Sequence, residues 1–265
     1  MILDDILART RADLAVRQQQ RPLADVEAAA RAQAPARGFA RALRRPGAVT
    51  CIAEFKRRSP SAGWIHQGAV PGPMAATYAA GGAAAMSVLT DEPFFGGSLD
   101  DLRAARAAAP LPILRKDFMV DRYQVAEARA AGADAILIIV AALDDGTIAR
   151  LLQAAGDCGV DALVEAHDEA EVRRAVALGA AIVGVNNRDL KTFTMDRDLA
   201  VRLRPLVPPD RLMVAESGIR DAADVRRLGA AGIDAVLVGE TLMRAADPGA
   251  ALRALLAPAP AAARP

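Results

Sequence analysis

Glu54 and Lys56 lie two residues apart at the end of an apolar run that begins at Cys51. Successive side chains of a β-strand point to opposite faces, so Ile52, Glu54 and Lys56 share one face. An acid and an ammonium side by side at the end of a buried strand contribute little to packing, whereas they suit proton transfer. We therefore take this pair as the first candidate for chemistry.

Lysine is rare in this chain. Of the 33 basic residues only three are lysines, Lys56, Lys116 and Lys191, and the other 30 are arginines. A guanidinium stays protonated, whereas the pKa of a lysine shifts with its surroundings and its ammonium donates a proton. The retained lysines are therefore candidates for acid–base chemistry. A compositional bias towards arginine is the alternative explanation.

From residue 49 onward, short apolar segments alternate with helical ones. We predict strands at 49–55, 84–89, 112–116, 134–140, 161–165, 181–186, 211–216 and 234–239, and helices near 73–80, 98–109, 121–131, 144–158, 168–178, 196–204, 221–230 and 247–256. Eight strands, each followed by a helix, are typical of a closed parallel barrel in the α/β class. An open doubly wound sheet gives the same alternation and is the alternative.

An internal repeat favours the barrel. A glycine followed by a short apolar run recurs at Gly82, Gly132, Gly179 and Gly232, with spacings of 50, 47 and 53 residues. Each spacing corresponds to two βα units, in which the glycine ends a helix and the apolar run is the next buried strand.

The chain therefore divides into three parts. Residues 46–256 are expected to form a single (β/α)8 TIM barrel. Residues 1–45 are expected to be an N-terminal helical extension that packs on the barrel, and the Ala/Pro-rich residues 257–265 a disordered tail.

The composition excludes several classes of protein. The net charge of +1 gives no basic field for nucleic acid, and no apolar run reaches the roughly 18 residues of a membrane span. The acidic start lacks the order of a signal peptide, and two distant cysteines, Cys51 and Cys158, suggest reduced thiols. We expect a cytoplasmic protein. Two histidines and no cysteine pair argue against a structural zinc site.

Polar residues cluster where the predicted strands end, which is where barrels of this kind carry their sites. In chain order they are Glu54, Lys56 and Ser59; Arg115, Lys116 and Asp117; Glu165 and His167; Asn186, Asn187 and Arg188; Glu216, Ser217 and Gly218; and Gly239 and Glu240. Three carboxylates and two of the three lysines converge on one mouth, a mixture that suits acid–base work. Solvated loop charge is the alternative, and His167 is interpreted as structural or as a support for Glu165.

Two further features bear on the substrate. Gly218 and Gly239 follow strands 7 and 8, where loops commonly bind phosphate and where glycine lets backbone N–H groups approach an anion. We therefore predict a phosphorylated substrate. Phe95 and Phe118 lie in loops 2 and 3, where they suit an aromatic ring, although a role in the core is equally compatible with the sequence.

The motifs together resemble one family, indole-3-glycerol phosphate synthase. The stretches that carry the resemblance run through nearly the whole chain in order: Ile52-Ala53-Glu54-Phe55-Lys56-Arg57-Arg58-Ser59-Pro60-Ser61, Ser87-Val88-Leu89-Thr90-Asp91, Phe94-Phe95-Gly96-Gly97-Ser98, Leu114-Arg115-Lys116-Asp117-Phe118, Val164-Glu165, Val185-Asn186-Asn187-Arg188-Asp189-Leu190, Ala215-Glu216-Ser217-Gly218-Ile219 and Leu237-Val238-Gly239-Glu240. The last two also occur in other phosphate-binding barrels.

The resemblance implies a reaction of tryptophan synthesis without a cofactor. The small-molecule substrate would be 1-(2-carboxyphenylamino)-1-deoxyribulose 5-phosphate, a phosphorylated anilino-ribulose, which closes to indole-3-glycerol phosphate with loss of carbon dioxide and water. Lys116 would be the general acid and Glu165 the general base, with Lys56 and Glu54 orienting the substrate. A monomer without nucleic-acid or membrane partners is expected.

The resemblance also assigns the rest of the site. Asn186, Arg188 and Glu216 would hold hydroxyls, carboxylate and the charge network. The phosphate would be surrounded by Ser59, Ser217, Gly218, Gly239 and Glu240, and the anthranilate ring would lie among Phe95, Phe118, Leu137 and Leu190. Ala62 and His66 stand in loop 1 where the family often has basic residues, which leaves the closure of that loop open.

Two alternatives differ in kind. Phosphoribosylanthranilate isomerase would share the barrel and loops 7 and 8, but it would not require the paired lysines of strands 1 and 3 or the helical prefix. A non-catalytic barrel that serves as a binding module predicts a broken site, whereas every expected polar position is filled.

Overall fold

A closed barrel of eight parallel strands forms the centre of the computed structural model, which describes residues 2–189 and 192–258. The strands are β1 (Thr50–Phe55), β2 (Ala85–Leu89), β3 (Ile113–Lys116), β4 (Ala135–Ile139), β5 (Asp161–Ala166), β6 (Ile182–Asn186), β7 (Leu212–Glu216) and β8 (Ala235–Val238). Each strand pairs with the next along the chain, and β8 closes the ring on β1, where Ala235 lies beside Thr50. The predicted (β/α)8 TIM barrel is confirmed, and the open sheet is excluded.

A helix follows each strand, as the alternating pattern predicts. These helices are Pro71–Ala80, Leu99–Ala108, Arg122–Ala130, Asp145–Asp157, Glu169–Ala177, Leu199–Leu203, Ala222–Ala230 and Pro248–Leu255. Short helices Glu92–Phe95 and Glu240–Met243 and 3-10 turns Val140–Ala142 and Arg204–Leu206 lie in the connections. No helix within residues 2–189 and 192–258 is long and apolar enough to cross a membrane.

Aspartate fixes where most of these helices begin. The carboxylate of the residue before the first helical turn accepts a backbone N–H of that turn, which satisfies a donor that would otherwise lack a partner and favours the positive end of the helix dipole. The aspartates that act in this way are Asp121, Asp144, Asp168, Asp221 and Asp247.

The period of two along each strand separates two cores. In β1 the side chains of Cys51, Ala53 and Phe55 belong to the large core between barrel and helices, whereas Ile52 belongs to the core inside the barrel. The interior core is filled by one to three apolar residues from each strand and by Phe39 and Leu43 of the helix Phe39–Leu43. These two side chains close the barrel at its N-terminal end.

The segment before the barrel is helical, with helices Ile2–Gln20, Leu23–Arg31 and Phe39–Leu43. Leu14 and Val26 pack on Tyr123 of the helix after β3. The backbone N–H of Ala40 donates to Asp161 Oδ2 at the start of β5, 2.8 Å away. The extension therefore runs along the outside of the barrel to its N-terminal end.

The division into an extension (1–45), a barrel (46–256) and a tail (257–265) remains a prediction. Residues 259–265 of that tail lie outside the described residues.

Candidate active site

A cavity of 510 Å³ opens at the C-terminal end of the barrel. Fifteen of the sixteen predicted site residues line it: Glu54, Lys56, Ser59, Phe95, Lys116, Phe118, Leu137, Glu165, Asn186, Arg188, Glu216, Ser217, Gly218, Gly239 and Glu240. The sixteenth, Leu190, lies outside the described residues. The barrel thus brings together side chains from six strands and the loops that follow them.

Lys116 lies at the centre of a ring of carboxylates. Its Nζ is 2.9 Å from Oε2 of Glu216, 3.4 Å from Oε2 of Glu165 and 3.7 Å from Oε2 of Glu54. The three carboxylates are almost completely buried, because strand alternation turns the last inward-facing residue of β1, β5 and β7 toward the barrel axis.

Burial and charge act against each other on Lys116 and Glu165. Burial by itself lowers the pKa of the Lys116 ammonium, but the carboxylates of Glu216, Glu165 and Glu54 outweigh it and raise that pKa. Burial by itself raises the pKa of Glu165, but Lys116 and His167 outweigh it and hold that pKa well below its usual range. Lys116 is therefore protonated and Glu165 ionised at neutral pH.

Glu216 behaves differently from the other two carboxyls. Burial raises its pKa to about 8; the Lys116 ammonium opposes this rise, and the Glu165 carboxylate adds to it. Its Oε1 is buried without a hydrogen-bond partner. Two carboxyl groups that share one ammonium do not both ionise easily, so the proton stays with Glu216.

Lys56 and Glu54 form a second pair at the wall of the cavity. Lys56 Nζ is 2.7 Å from Glu54 Oε1. Burial by itself raises the pKa of Glu54, but the ammonium groups of Lys56 and Lys116 outweigh it and hold that pKa below its usual range. Two glycines make room for the carboxylates. A Cβ at Gly239 would collide with Glu54 Oε1, and one at Gly184 would collide with Glu216 Oε1.

Strand β6 and the loop that follows it contribute two polar side chains, Asn186 and Arg188, that brace the wall. Asn186 Nδ2 donates to Glu165 Oε1 at 3.3 Å, and Asn186 Oδ1 accepts the backbone N–H of Arg188 at 3.1 Å. The Arg188 guanidinium donates to Ser61 Oγ at 3.2 Å, which joins loop 6 to loop 1 across the mouth.

The loops after β7 and β8 shape the opposite wall. Ser217 and Gly218 have successive φ angles of 67° and 78°, a left-handed conformation that is strained for serine. Two such residues in succession turn backbone N–H groups to one side, which creates a concavity suited to an anion. Asn187 Nδ2 holds this turn by donating to Ser217 O at 3.1 Å. The Glu240 carboxylate is paired with Arg244 at 2.9 Å.

The remaining wall is apolar. The rings of Phe95 and Phe118 lie tilted with their centroids 6.1 Å apart, and Leu137 of β4 also lines the cavity. Leu3 and Ile6 of the N-terminal helix also line the cavity. This slot suits the flat face of an aromatic ring.

Loop 1 is folded over the mouth as a short hairpin. Its two-residue strands Arg58–Ser59 and Gly63–Trp64 are antiparallel, and Ser59 Oγ accepts the backbone N–H of Ala62 at 3.1 Å. Arg57 anchors the hairpin through a two-point contact with Asp101, at 2.6 and 2.8 Å.

Its sequence position groups Arg115 with the residues of the mouth, but the structure places its side chain on the other side of β3. Arg115 alternates with Lys116 and therefore faces the helices. There it is fully buried and pairs with Asp117 and Glu127, both at 2.8 Å. It braces β3 from outside.

Sequence reasoning missed several residues that line the cavity. Leu3 and Ile6 carry no sequence signal, because only long-range packing brings the first helix to the mouth. Leu237 and Ile139 could have been found from the strand period. The others follow the strand-end motifs by one to nine residues: Phe193, Met195, Arg197, Ile219, Arg220, Thr241 and Arg244.

Across residues 2–189 and 192–258, no group of three or more His, Cys, Asp or Glu side chains has the geometry to hold a metal ion.

A family model for indole-3-glycerol phosphate synthase matches residues 3–255. The chain is 52% identical over 255 residues to indole-3-glycerol phosphate synthase 2 of Streptomyces coelicolor, which covers 96% of this chain and 98% of the relative. It is 55% identical over 252 residues to indole-3-glycerol phosphate synthase of a Nocardioides species, with 95% and 96% covered. The chain belongs to the indole-3-glycerol phosphate synthase family.

The family is one of carboxy-lyases of tryptophan biosynthesis, so the resemblance expected from the motifs is confirmed. Two solved structures share the fold at much lower identity. A crystal structure of 3-hexulose-6-phosphate synthase superposes with a TM-score of 0.60 at 20% identity, covering 78% of this chain and 98% of that one. N-acetylmannosamine-6-phosphate 2-epimerase from Clostridium perfringens gives 0.57 at 17% identity, with 72% and 86% covered. These two likenesses show the barrel fold alone.

Proposed function

We propose that this protein closes the indole ring of indole-3-glycerol phosphate, with Lys116 as general acid and Glu165 as general base. The single observation that carries the proposal is the position of the Lys116 ammonium between Glu216, Glu165 and Glu54 inside the cavity, 2.9 to 3.7 Å from their oxygens. The substrate is 1-(2-carboxyphenylamino)-1-deoxy-D-ribulose 5-phosphate, as the family implies.

The first step joins the aromatic carbon to the ribulose carbonyl carbon. Lys116 donates a proton to the carbonyl oxygen as the new bond forms, and the carboxyl group leaves as carbon dioxide so that the ring regains its electrons. The raised pKa of Lys116 keeps the ammonium protonated until this oxygen becomes basic.

The second step is loss of water. The electrons of the ring nitrogen expel the hydroxyl, which takes up a proton from solvent and leaves as water, and Glu165 accepts the proton of the neighbouring ring carbon, which completes the aromatic indole. The lowered pKa of Glu165 keeps the carboxylate ionised at neutral pH and ready to accept. Lys56 and Glu54, paired at 2.7 Å, orient the substrate, and Asn186 and Glu216 complete the charge network.

The two ends of the cavity fit the two ends of this molecule. The phosphate is expected at the left-handed turn of Ser217 and Gly218, with Ser59, Gly239 and Glu240 around it, the glycines acting through backbone N–H groups. Arg244 neutralises the Glu240 carboxylate, which reduces its repulsion of the phosphate.

The anthranilate ring is expected between Phe95, Phe118 and Leu137. Arg188 is within reach of the substrate carboxylate from loop 6. Leu190 was assigned to the same slot, and this assignment stays a prediction.

The isomerase alternative is disfavoured by the site. Phosphoribosylanthranilate isomerase does not require the two lysines that meet Glu54 from opposite sides, nor the N-terminal helix that supplies Leu3 and Ile6 to the mouth.

The test is to mix purified protein with the anilino-ribulose phosphate and follow indole fluorescence. We expect rapid product formation in the wild type and a loss of about 10²–10⁴ in kcat for Lys116→Ala. Folded wild-type protein that forms no product would refute the proposal. Product from both proteins would move the proton donor to Lys56.

We extend the proposal to a cytoplasmic monomer without nucleic-acid partners. The net charge of +1 and the two free cysteines support this setting. The exposed large apolar side chains among the described residues are scattered along the sequence, at Val16, Trp64, Val70 and Phe193. Light scattering after size-exclusion chromatography tests the oligomeric state.

A further inference from the structure

His167 lies directly behind the carboxylate that we propose as general base. Its Nε2 is 3.2 Å from Oε1 of Glu165, and its Nδ1 is 3.1 Å from Oε2 of Glu171. The side chain is about 10% exposed, and it does not line the cavity. An imidazole is therefore held between two carboxylates, one of which faces the substrate.

Local structure fixes this arrangement. Asp168 begins the helix Glu169–Ala177 by accepting the backbone N–H of Glu171 at 2.8 Å. Glu171 in turn reaches back and accepts the backbone N–H of His167 at 2.8 Å, with the same oxygen that contacts Nδ1. The histidine is thus tied to the first helical turn through both its main chain and its ring.

The two oxygens of Glu165 have different partners. Oε1 faces His167 Nε2 and Asn186 Nδ2, whereas Oε2 faces Lys116 Nζ at 3.4 Å. Of the two contacts on Oε1, the one from His167 comes from a residue that does not line the cavity, whereas Oε2 lies beside the Lys116 ammonium. Oε2 is therefore the oxygen presented to the reacting groups.

We propose that His167 is a positioning residue of the reaction, a cation clamped between Glu165 and Glu171 that fixes the orientation of Glu165 and keeps its carboxylate ionised. This inference rests on the proposed role of Glu165 as general base. It concerns what holds the base, and it adds no residue that touches the substrate.

The charges around the ring favour the cationic form. Glu165 of β5 and Glu171 of the following helix are the carboxylates that contact it, and Asn186 of β6 is uncharged. Lys116 of β3 lies beyond Glu165, on the other oxygen of that carboxylate. On the β4 side Arg174 and Asp145 pair with each other at 2.7 Å. Burial by itself lowers the pKa of His167, but the two carboxylates outweigh it and raise the pKa to about 10.

The ring can be observed without turnover, because the chain has only two histidines, His66 and His167. In His66→Asn protein the remaining imidazole Cε1–H signal belongs to His167, and its chemical shift is followed by NMR against pH. We expect a midpoint at least about two pH units above the ordinary value of about 6.5. A midpoint within about one unit of that value overturns the inference.

Activity gives the second readout. In Glu171→Gln the histidine stays in place but loses one carboxylate, so its NMR midpoint should fall. In His167→Asn the cation behind Glu165 is lost, so the acid limb of the kcat–pH profile should move towards neutrality by roughly one pH unit. The same replacement should lower kcat about tenfold or more, with KM within about threefold.

The matched control is Glu169→Gln in the same helical turn, since Glu169 is exposed and pairs with Arg173 at 2.7 Å. It should change neither the NMR midpoint nor the pH profile. A His167→Asn profile that superposes on that of the control overturns the inference, and so does a Glu171→Gln protein whose NMR midpoint equals that of the control.

The inference and the proposed function fail in different ways. If Glu165→Gln keeps full activity, the role of the base is wrong whatever the titration of His167 shows. If Glu165→Gln is inactive and His167 titrates near its ordinary pKa, the base stands and the clamp alone is wrong.

Discussion

Replacing Glu216 by glutamine should stabilise the protein at alkaline pH. Glutamine mimics the protonated carboxyl in shape and lacks the charge. Burial raises the pKa of Glu216 from 4.5 to about 8, so the folded protein holds a proton there that the unfolded chain releases. Between these two values the folded state binds more protons than the unfolded state, and stability falls as the pH rises. The glutamine variant lacks this loss.

The magnitude follows from the size of the shift. A rise of about 3.5 units, at about 1.4 kcal/mol per unit, sets an upper limit of about 5 kcal/mol at pH 8 and above. For a chain of this size about 1 kcal/mol corresponds to roughly 2–4 °C in Tm. We therefore expect the Tm of Glu216→Gln, relative to wild type, to rise by at most roughly 10–20 °C between about pH 4.5 and about pH 8.5.

The assay is differential scanning fluorimetry of both proteins across that range, with Glu169→Gln as the control for loss of an exposed carboxylate. The control should show no pH-dependent difference. If the difference for Glu216→Gln is constant with pH, or if the variant becomes less stable at alkaline pH, then Glu216 is an ordinary ionised partner of Lys116 and the reasoning is refuted.

Three further predictions follow from single contacts. Asn187→Ala removes the donor to Ser217 O, which holds the turn where the phosphate is expected. KM should therefore rise about tenfold or more with kcat little changed, and binding of the dephosphorylated product should be unaffected. A loss confined to kcat would contradict this. Phe39→Ala opens a cavity at the closed end of the barrel and should lower the free energy of unfolding by about 3–5 kcal/mol, measured by urea denaturation, with KM unchanged. Cys51 is buried, and burial raises its pKa to about 12. A thiol reagent should therefore modify Cys158 alone in the native protein. Reaction at both cysteines would argue against the packing of β1.

The barrel could be predicted because its signals are local. Each strand is a short apolar run, most of the helices around the barrel begin at a recognisable cap, and the period of two along β1 places Glu54 and Lys56 together on the inner face. Arg115 shows what goes wrong when a residue is assigned to the site because it stands at a strand end, without regard to the period of two. It stands beside Lys116 in the sequence, yet alternation sends it to the other side of the strand.

Contacts between distant segments could not be predicted from the residues alone. Gly184 is needed because the carboxyl group of Glu216, on the neighbouring strand, occupies the space of its missing side chain. Leu3 and Ile6 reach the mouth only because the first helix packs along the barrel. The position of His167 two residues after Glu165 predicts only a structural or supporting role. Its second partner, Glu171, could not be predicted, because the first turn of the helix Glu169–Ala177 brings that carboxylate to the ring.

The division of labour between Lys116 and Glu165 is tested most directly by measuring carbon dioxide release and indole formation together in single turnovers. Lys116 acts at ring closure, before decarboxylation, and Glu165 acts at the loss of water that follows. Lys116→Ala should therefore release neither product at an appreciable rate, whereas Glu165→Gln should release carbon dioxide well ahead of indole. Equal and simultaneous loss of both products in Glu165→Gln would contradict the account.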